Sequence, residues 1–177
     1  MDRIQTTYYK TPLGELIIGS LNQQLCLCDW RYRKMRDSID KRIQSGLQAV
    51  YEEGESDIVE ETKVQLSQYF NGERQEFDLP ILLVGSEFQK QVWNELLRIP
   101  FGETESYAGL SKKLGNIEVI RAVASANGAN AISIIVPCHR ILGSDGSLTG
   151  YAGGLETKKK LLLLENAFRQ GELPLGF

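Results

Sequence analysis

The chain predicts an α+β protein: a small N-terminal antiparallel β-sheet domain with helices over residues 1–85, then a mainly α-helical C-terminal domain over 86–177. Three observations predict it. Short runs rich in β-branched and aromatic residues, broken by turn residues, occupy the beginning of the chain. Helical apolar spacing replaces them from about residue 57. After a stretch without helical period, Glu73 to Gly85, a capping signature at Ser86 starts helical structure again.

The β-rich runs are Tyr8-Tyr9-Lys10, Glu15-Leu16-Ile17-Ile18 and Leu25-Cys26-Leu27-Cys28-Asp29-Trp30. Thr11-Pro12-Leu13-Gly14 and Leu21-Asn22-Gln23-Gln24 separate them with turn residues, which suggests a meander. Cys26 and Cys28 are two apart, so in a regular strand they share a face, and both read as structural. Val59, Leu66 and Phe70 have helical spacing, and Asn71-Gly72 is the C-terminal stop. Glu73 to Gly85 reads as a linker or crossover. Ser86-Glu87-Phe88-Gln89 has the form of a capping box, with Phe88, Val92, Leu96 and Ile99 continuing a helix that ends at Pro100. Ser106 is placed to cap a short helix through Leu114, Gly115 to turn, and Asn116 to cap a second helix from about Ile117 to Ala126. That is a helix-turn-helix, a signal many proteins that never touch DNA also carry.

The chemistry concentrates in Ile134-Ile135-Val136-Pro137-Cys138-His139-Arg140, where a cysteine stands beside the single histidine of the chain. A thiol becomes a strong nucleophile as its thiolate, and a neighbouring imidazole or cation favours that form. The alternative is a buried, inert cysteine at the end of a strand. Three cysteines cannot all pair within the chain, and the N-terminus lacks a secretory pattern, so a reducing cytoplasm is the expected compartment. With 42% hydrophobic residues and no apolar run of spanning length, the chain reads as soluble, with no membrane association. The net charge of −3 divides into −4 over residues 1–85 and +1 over 86–177, so any phosphate contacts are local. Lys158-Lys159-Lys160 reads as a solvated helix face for at least two of the three.

Pro137-Cys138-His139-Arg140 resembles the active-site motif of the O6-alkylguanine-DNA alkyltransferases, which transfer an alkyl group from a damaged base to their own cysteine. The likeness extends to Phe101-Gly102-Glu103, Ser106-Tyr107, Arg121-Ala122-Val123, Gly150-Tyr151-Ala152-Gly153-Gly154 and the run from Lys158 to Glu165. Toward the N-terminus it is carried by Thr11 through Leu16 and Leu66 through Gly72.

This resemblance implies a ribonuclease H-like N-terminal domain and a winged-helix-like C-terminal one. It implies a catalytic set of Cys138, His139 and Glu165, with a water between thiol and imidazole and the carboxylate orienting the histidine. Tyr107, Arg121, Ala122, Ser125 and Ala126 would bind the minor groove, Arg121 entering the stack as the damaged nucleotide leaves. Tyr107, Asn130, Val136, Pro137, Ile141, Tyr151, Ala152 and Gly153 would form the base pocket, with Asn130 bracing the turn before Cys138. The implied partner is double-stranded DNA carrying O6-alkylguanine, and by extension O4-alkylthymine. The protein would act once per molecule, as a monomer, with no cofactor and no obligate protein partner. Some relatives hold a structural zinc; none is expected here, the one histidine being claimed by the active site. Ala129, Ala131 and Ile117 depart from common family choices. The rival readings are a cysteine hydrolase built on Cys138, His139 and Glu165, a lesion-binding protein without catalysis, and the repair half of a fused adaptive-response regulator, against which stands the lack of a cysteine-rich zinc module in the sequence.

Overall fold

The computed structural model describes residues 1–167; residues 168–177 of the expected second domain lie outside it. The chain forms two compact units, Met1–Gly85 and Ser86 onward.

In the first unit, β1 (Asp2–Thr11), β2 (Gly14–Leu21) and β3 (Gln24–Trp30) make the antiparallel meander. Thr11 Oγ1 accepts the amides of Leu13 and Gly14 at the first hairpin. At the second, Asn22 and Gln23 take φ of 50° and 63°, the left-handed pair of a type I′ turn whose twist suits a two-residue hairpin. A helix and a strand that the sequence pattern does not reveal follow: α1 (Arg36–Leu47) and β4 (Ala49–Glu53). β4 pairs with β1 in parallel, so the four-stranded sheet, in order β3-β2-β1-β4, is mixed rather than wholly antiparallel. The right length of crossover makes this possible, because a parallel neighbour requires a connection such as α1. α2 (Asp57–Phe70) packs on β1, β2 and β3, capped at its start by Ser56 and stopped at Gly72, whose φ is 76°.

The expected linker does more than connect. The Leu25 amide donates to Pro80 O and the Leu82 amide to Leu25 O, so this segment runs beside β3 and satisfies part of its edge. A register shift at Gly19/Ser20 leaves Cys26 as an extra residue in β3, with Cys26 Sγ 3.5 Å from Gly19 O. Burial raises the Cys26 thiol to about 12 and pushes Cys28 up further still, so neither is a nucleophile near neutral pH. Buried Asp29 accepts from Arg33 and Arg36 and ties β3 to α1.

In the second unit, the Ser86 and Gln89 side chains form a complete capping box on α3 (Glu87–Leu96). The helix-turn-helix consists of α4 (Tyr107–Lys113), capped by Ser106, and α5 (Ile120–Gly128). Gly115 makes the turn at φ 90°. Asn116 caps a 3-10 turn, Ile117–Val119, and the α-helical part begins only at Ile120, later than the spacing predicts, and runs past Ala126. Trp93 is buried and its indole donates to Ala126 O at 2.8 Å, fastening α5 to α3. β5 (Glu105–Ser106) and β6 (Ile141–Leu142) make a short parallel pair, and α6 (Leu155–Leu164) closes the described unit.

Candidate active site

The segment that presents Cys138 is not a strand. Between Ala131 and Pro137 the chain makes successive tight turns that side chains and backbone bonds enforce. Asn130 is 2% exposed; its Nδ2 donates to Val136 O at 2.8 Å and its Oδ1 accepts the Ile132 amide at 3.0 Å. Within the loop so closed, the Ile135 amide reaches Ser133 O and Ile134 is held at φ 73°, a conformation costly for a β-branched residue. Pro137, at φ −83° and ψ 64°, is the centre of an inverse γ-turn in which the Cys138 amide donates to Val136 O at 2.8 Å. Cys138 then opens a 3-10 turn, Cys138–Arg140, on which α6 packs.

Two of the turn's three side chains converge on one carboxylate. Cys138 is 3% exposed, His139 is fully buried, and His139 Nε2 lies 2.8 Å from Oε1 of Glu165. Arg140 donates from Nε to Oε2 and from Nη2 to Oε1 of the same carboxylate, both at 2.9 Å, and from Nη1 to Ile99 O. Burial would raise the Glu165 carboxyl, but the charges and hydrogen bonds of His139 and Arg140 outweigh it and hold the group well below the carboxylate range. For His139 burial dominates, aided by the charges of Arg140 and Lys158 and opposed by Glu165, so its titration is lowered and the ring is neutral near pH 7. An ionised Glu165 accepts from Nε2–H, which leaves the lone pair on Nδ1. Nδ1 is buried without a protein hydrogen-bond partner among the described residues.

Tyr107, half-buried on α4, is linked to this centre. Its hydroxyl donates to Thr149 O at 3.5 Å and accepts from Asn127 Nδ2, which also donates to Cys138 O at 3.4 Å. Burial raises its titration, so the phenol stays protonated near neutrality. Val136, Pro137 and Ile141 are buried around the turn, while Tyr151, Ala152 and Gly153 are half-buried in the loop before α6. The Tyr151 and His139 rings are edge to face with centroids 6.4 Å apart.

On α5, Arg121, Ala122 and Ser125 are exposed. Ala126 does not share that face: it is 3% exposed, turned toward α3, with its carbonyl occupied by Trp93. Three contributors carried no assigned role in the sequence reading. Arg140 stands in the motif yet its grip on Glu165 depends on the fold, and Asn127 is one of several polar residues of α5. Lys158 is fully buried although it begins a run of lysines. Its signal was its spacing with Leu161, Leu162 and Glu165, one helical face, all buried. No group of three or more His, Cys, Asp or Glu residues able to hold a metal occurs among the described residues.

Residues 87–167 match the 6-O-methylguanine DNA methyltransferase DNA binding domain, and residues 4–83 match the ribonuclease-like domain of the same family. A methylated-DNA–protein-cysteine methyltransferase of Methanosarcina acetivorans is 50% identical over 160 residues, covering 90% of this chain and 96% of the relative. The chain belongs to the 6-O-methylguanine DNA methyltransferase family. The constitutive methyltransferase of Bacillus subtilis is 40% identical over 159 residues, covering 89% of this chain and 92% of that one. Among solved structures, Mycobacterium tuberculosis OGT in complex with DNA aligns with a TM-score of 0.77 at 35% identity, over 98% of this chain and 96% of that one. The α+β architecture of the methyltransferase family is thus the architecture of this chain.

Proposed function

We propose that this protein reverses DNA alkylation directly, moving an alkyl group from O6 of guanine to Sγ of Cys138. The observation that carries the reading is the buried 2.8 Å bond between His139 and Glu165 beside the turn that presents Cys138. Glu165 fixes the ring so that Nδ1 is the basic nitrogen. The thiol proton passes to Nδ1 through a water, since neighbours in sequence on this turn do not face each other. The thiolate attacks the alkyl carbon, an S–C bond forms, the C–O bond breaks, and the electron pair returns to the purine, which takes up a proton as guanine. A thioether remains, which nothing in the site hydrolyses, so each molecule acts once. No cofactor enters this scheme, because the lesion is itself the alkyl donor.

The substrate is double-stranded DNA. A 3% exposed nucleophile cannot reach an O6 substituent inside the stack, which supports extrusion of the damaged nucleotide. The exposed face of α5, with small Ala122 and Ser125 beside Arg121, suits close approach along the minor groove, Arg121 filling the space the base vacates. Tyr107, Val136, Pro137, Ile141, Tyr151, Ala152 and Gly153 would surround the flipped base, and Asn130 would hold the turn. O4-alkylthymine fits the same chemistry. The protein acts as a monomer, and its free thiols suit a reducing compartment. A lesion binder without catalysis would not need Cys138, and the hydrolase reading leaves the helix-turn-helix unexplained. The test is intact mass after incubation with O6-methylguanine duplex: a gain of one methylene, once per protein and mapped to Cys138, supports the reading, whereas no gain or many turnovers overturns it.

A further inference from the structure

Lys158 brings an ammonium into a place where, among the described residues, no side-chain carboxylate bonds to it. The residue is 0% exposed, and its Nζ donates to Thr149 O at 3.0 Å and Gly150 O at 3.2 Å. Carbonyl dipoles do not replace the hydration of an ammonium, and a buried cation persists when an opposite charge is near. The carboxylate at this end of the unit, Glu165, is taken up by Arg140 at two points. On the turn against which α6 packs, Cys138 is the group whose ionised form would stabilise the Lys158 ammonium. α6, which carries Lys158, packs on the turn that carries Cys138, and the charge of Lys158 is also felt at His139.

We infer that Lys158 is the counter-cation of the Cys138 thiolate and, through its bonds to Thr149 and Gly150, the clasp that holds the adjoining loop beside that thiolate. The inference rests on the reading of Cys138 as the nucleophile and adds a positioning residue to it. Thr149 O receives both Lys158 and Tyr107, so one carbonyl joins the clasp to the tyrosine of the pocket. Among the described residues, the other ionisable groups linked to this centre are otherwise engaged. On its own turn His139 is neutral and Arg140 is paired; at the end of α6 Glu165 is bonded to both; on α4 Tyr107 is held protonated by burial. Burial lowers the Lys158 ammonium to about 8 even with the thiolate pulling it upward. Alkylation replaces the thiolate by a neutral thioether and removes that pull. The ammonium then gives its proton to solvent more readily, and a neutral amine donates more weakly to the two carbonyls, so the loop loosens after transfer.

Coupling between two titrating groups is reciprocal, which supplies two independent measurements. The first is the pH dependence of iodoacetamide reaction at Cys138, mapped by mass, in the full chain without DNA. Lys158→Met should raise the midpoint by at least about one pH unit, the effect of losing a nearby opposite charge, and Lys158→Arg should restore most of it. Coincident midpoints for wild type and a folded Lys158→Met overturn the inference. The second uses wild type alone, so it stands if the variant fails to fold: the Lys158 ammonium is titrated by side-chain NMR before and after methyl iodide methylates Cys138. Its midpoint should fall; an unchanged midpoint overturns the inference. Neither measurement involves DNA, so a negative result with O6-methylguanine duplex would remove the repair reading and leave these titrations standing.

Discussion

Arg140 grips the carboxylate of Glu165 at two points, and His139 shares one of the same oxygens. Glu165 is held ionised by His139 and Arg140 together, and Arg140, a permanent cation, remains its partner when His139 is neutral and acts as a base. The two consecutive residues of the motif have different tasks toward one carboxylate. Arg140→Met leaves Glu165 buried with His139 as its partner and strands Ile99 O. Removing one member of a buried pair costs about 3 kcal/mol or more, readable as a lowered denaturant midpoint. Arg140 also holds the His139 titration down, so the variant should show more imidazolium near pH 7 and recover part of its rate as pH rises. A pH–rate profile unchanged from wild type would contradict this role.

Cys138→Ser should abolish alkyl transfer and leave affinity for O6-methylguanine duplex close to wild type, measured by intact mass and by a binding titration at fixed salt. The raised thiols of Cys26 and Cys28 make them poor substitutes, so no adduct should appear on β3. An adduct there would place the chemistry in the wrong unit.

Arg121→Ala should slow repair of duplex at least about tenfold, since filling a vacated stack offsets an extrusion cost of a few kcal/mol. Free O6-benzylguanine requires no extrusion and should react at nearly the wild-type rate. Equal losses with both substrates would make Arg121 a residue of the fold alone.

Asn130→Ala should remove the staple that closes the turn before Cys138. Two well-formed buried bonds go, and the Ile132 amide and Val136 O lose a partner, so a stability loss of about 2 kcal/mol is expected in denaturant unfolding. Transfer to free O6-benzylguanine should fall as well, because Asn130 closes the loop in which Ile134 is held at φ 73°. A variant with full stability and full rate would show that the turn holds itself.

Much of this was legible where a local rule acts alone. The Ser86 box, the Ser106 cap and the Gly72 and Gly115 stops each depend on a few neighbouring residues, and each stands where the sequence puts it. α1 was not legible because only Ile39 and Ile43 anchor it among charged residues, and β4 because five residues paired in parallel carry no alternating pattern. The apolar run Ile134-Ile135-Val136 has strand composition, but Asn130 and Pro137 impose turns that composition does not register. At the site, Cys138, His139 and Glu165 were readable by resemblance. Lys158 was hidden by its company, since its burial depends on which face of α6 meets the Cys138 turn. Ala126 was misplaced for the matching reason: being small did not say which way it points.

Glu165→Gln tests the relay itself. Its carboxyl is held below the ordinary range in the folded protein, so it contributes stability that is present above the unfolded carboxyl value, about 4.3, and is lost as pH falls through the lower folded value. Glutamine contributes none of this, so the variant should be less stable than wild type at pH 7, and the difference should shrink in acid. The rate should change in the opposite part of the pH range. Losing the anion makes imidazolium less favourable, so His139 becomes a weaker acceptor of the thiol proton and the apparent Cys138 titration rises. Transfer slows most near neutral pH and approaches the wild-type rate in alkali, where the thiol ionises to solvent. A single-turnover pH–rate profile checks both halves: if wild type and Glu165→Gln superimpose from acid to alkali, the carboxylate does not act through His139, and its bond to the ring serves packing alone.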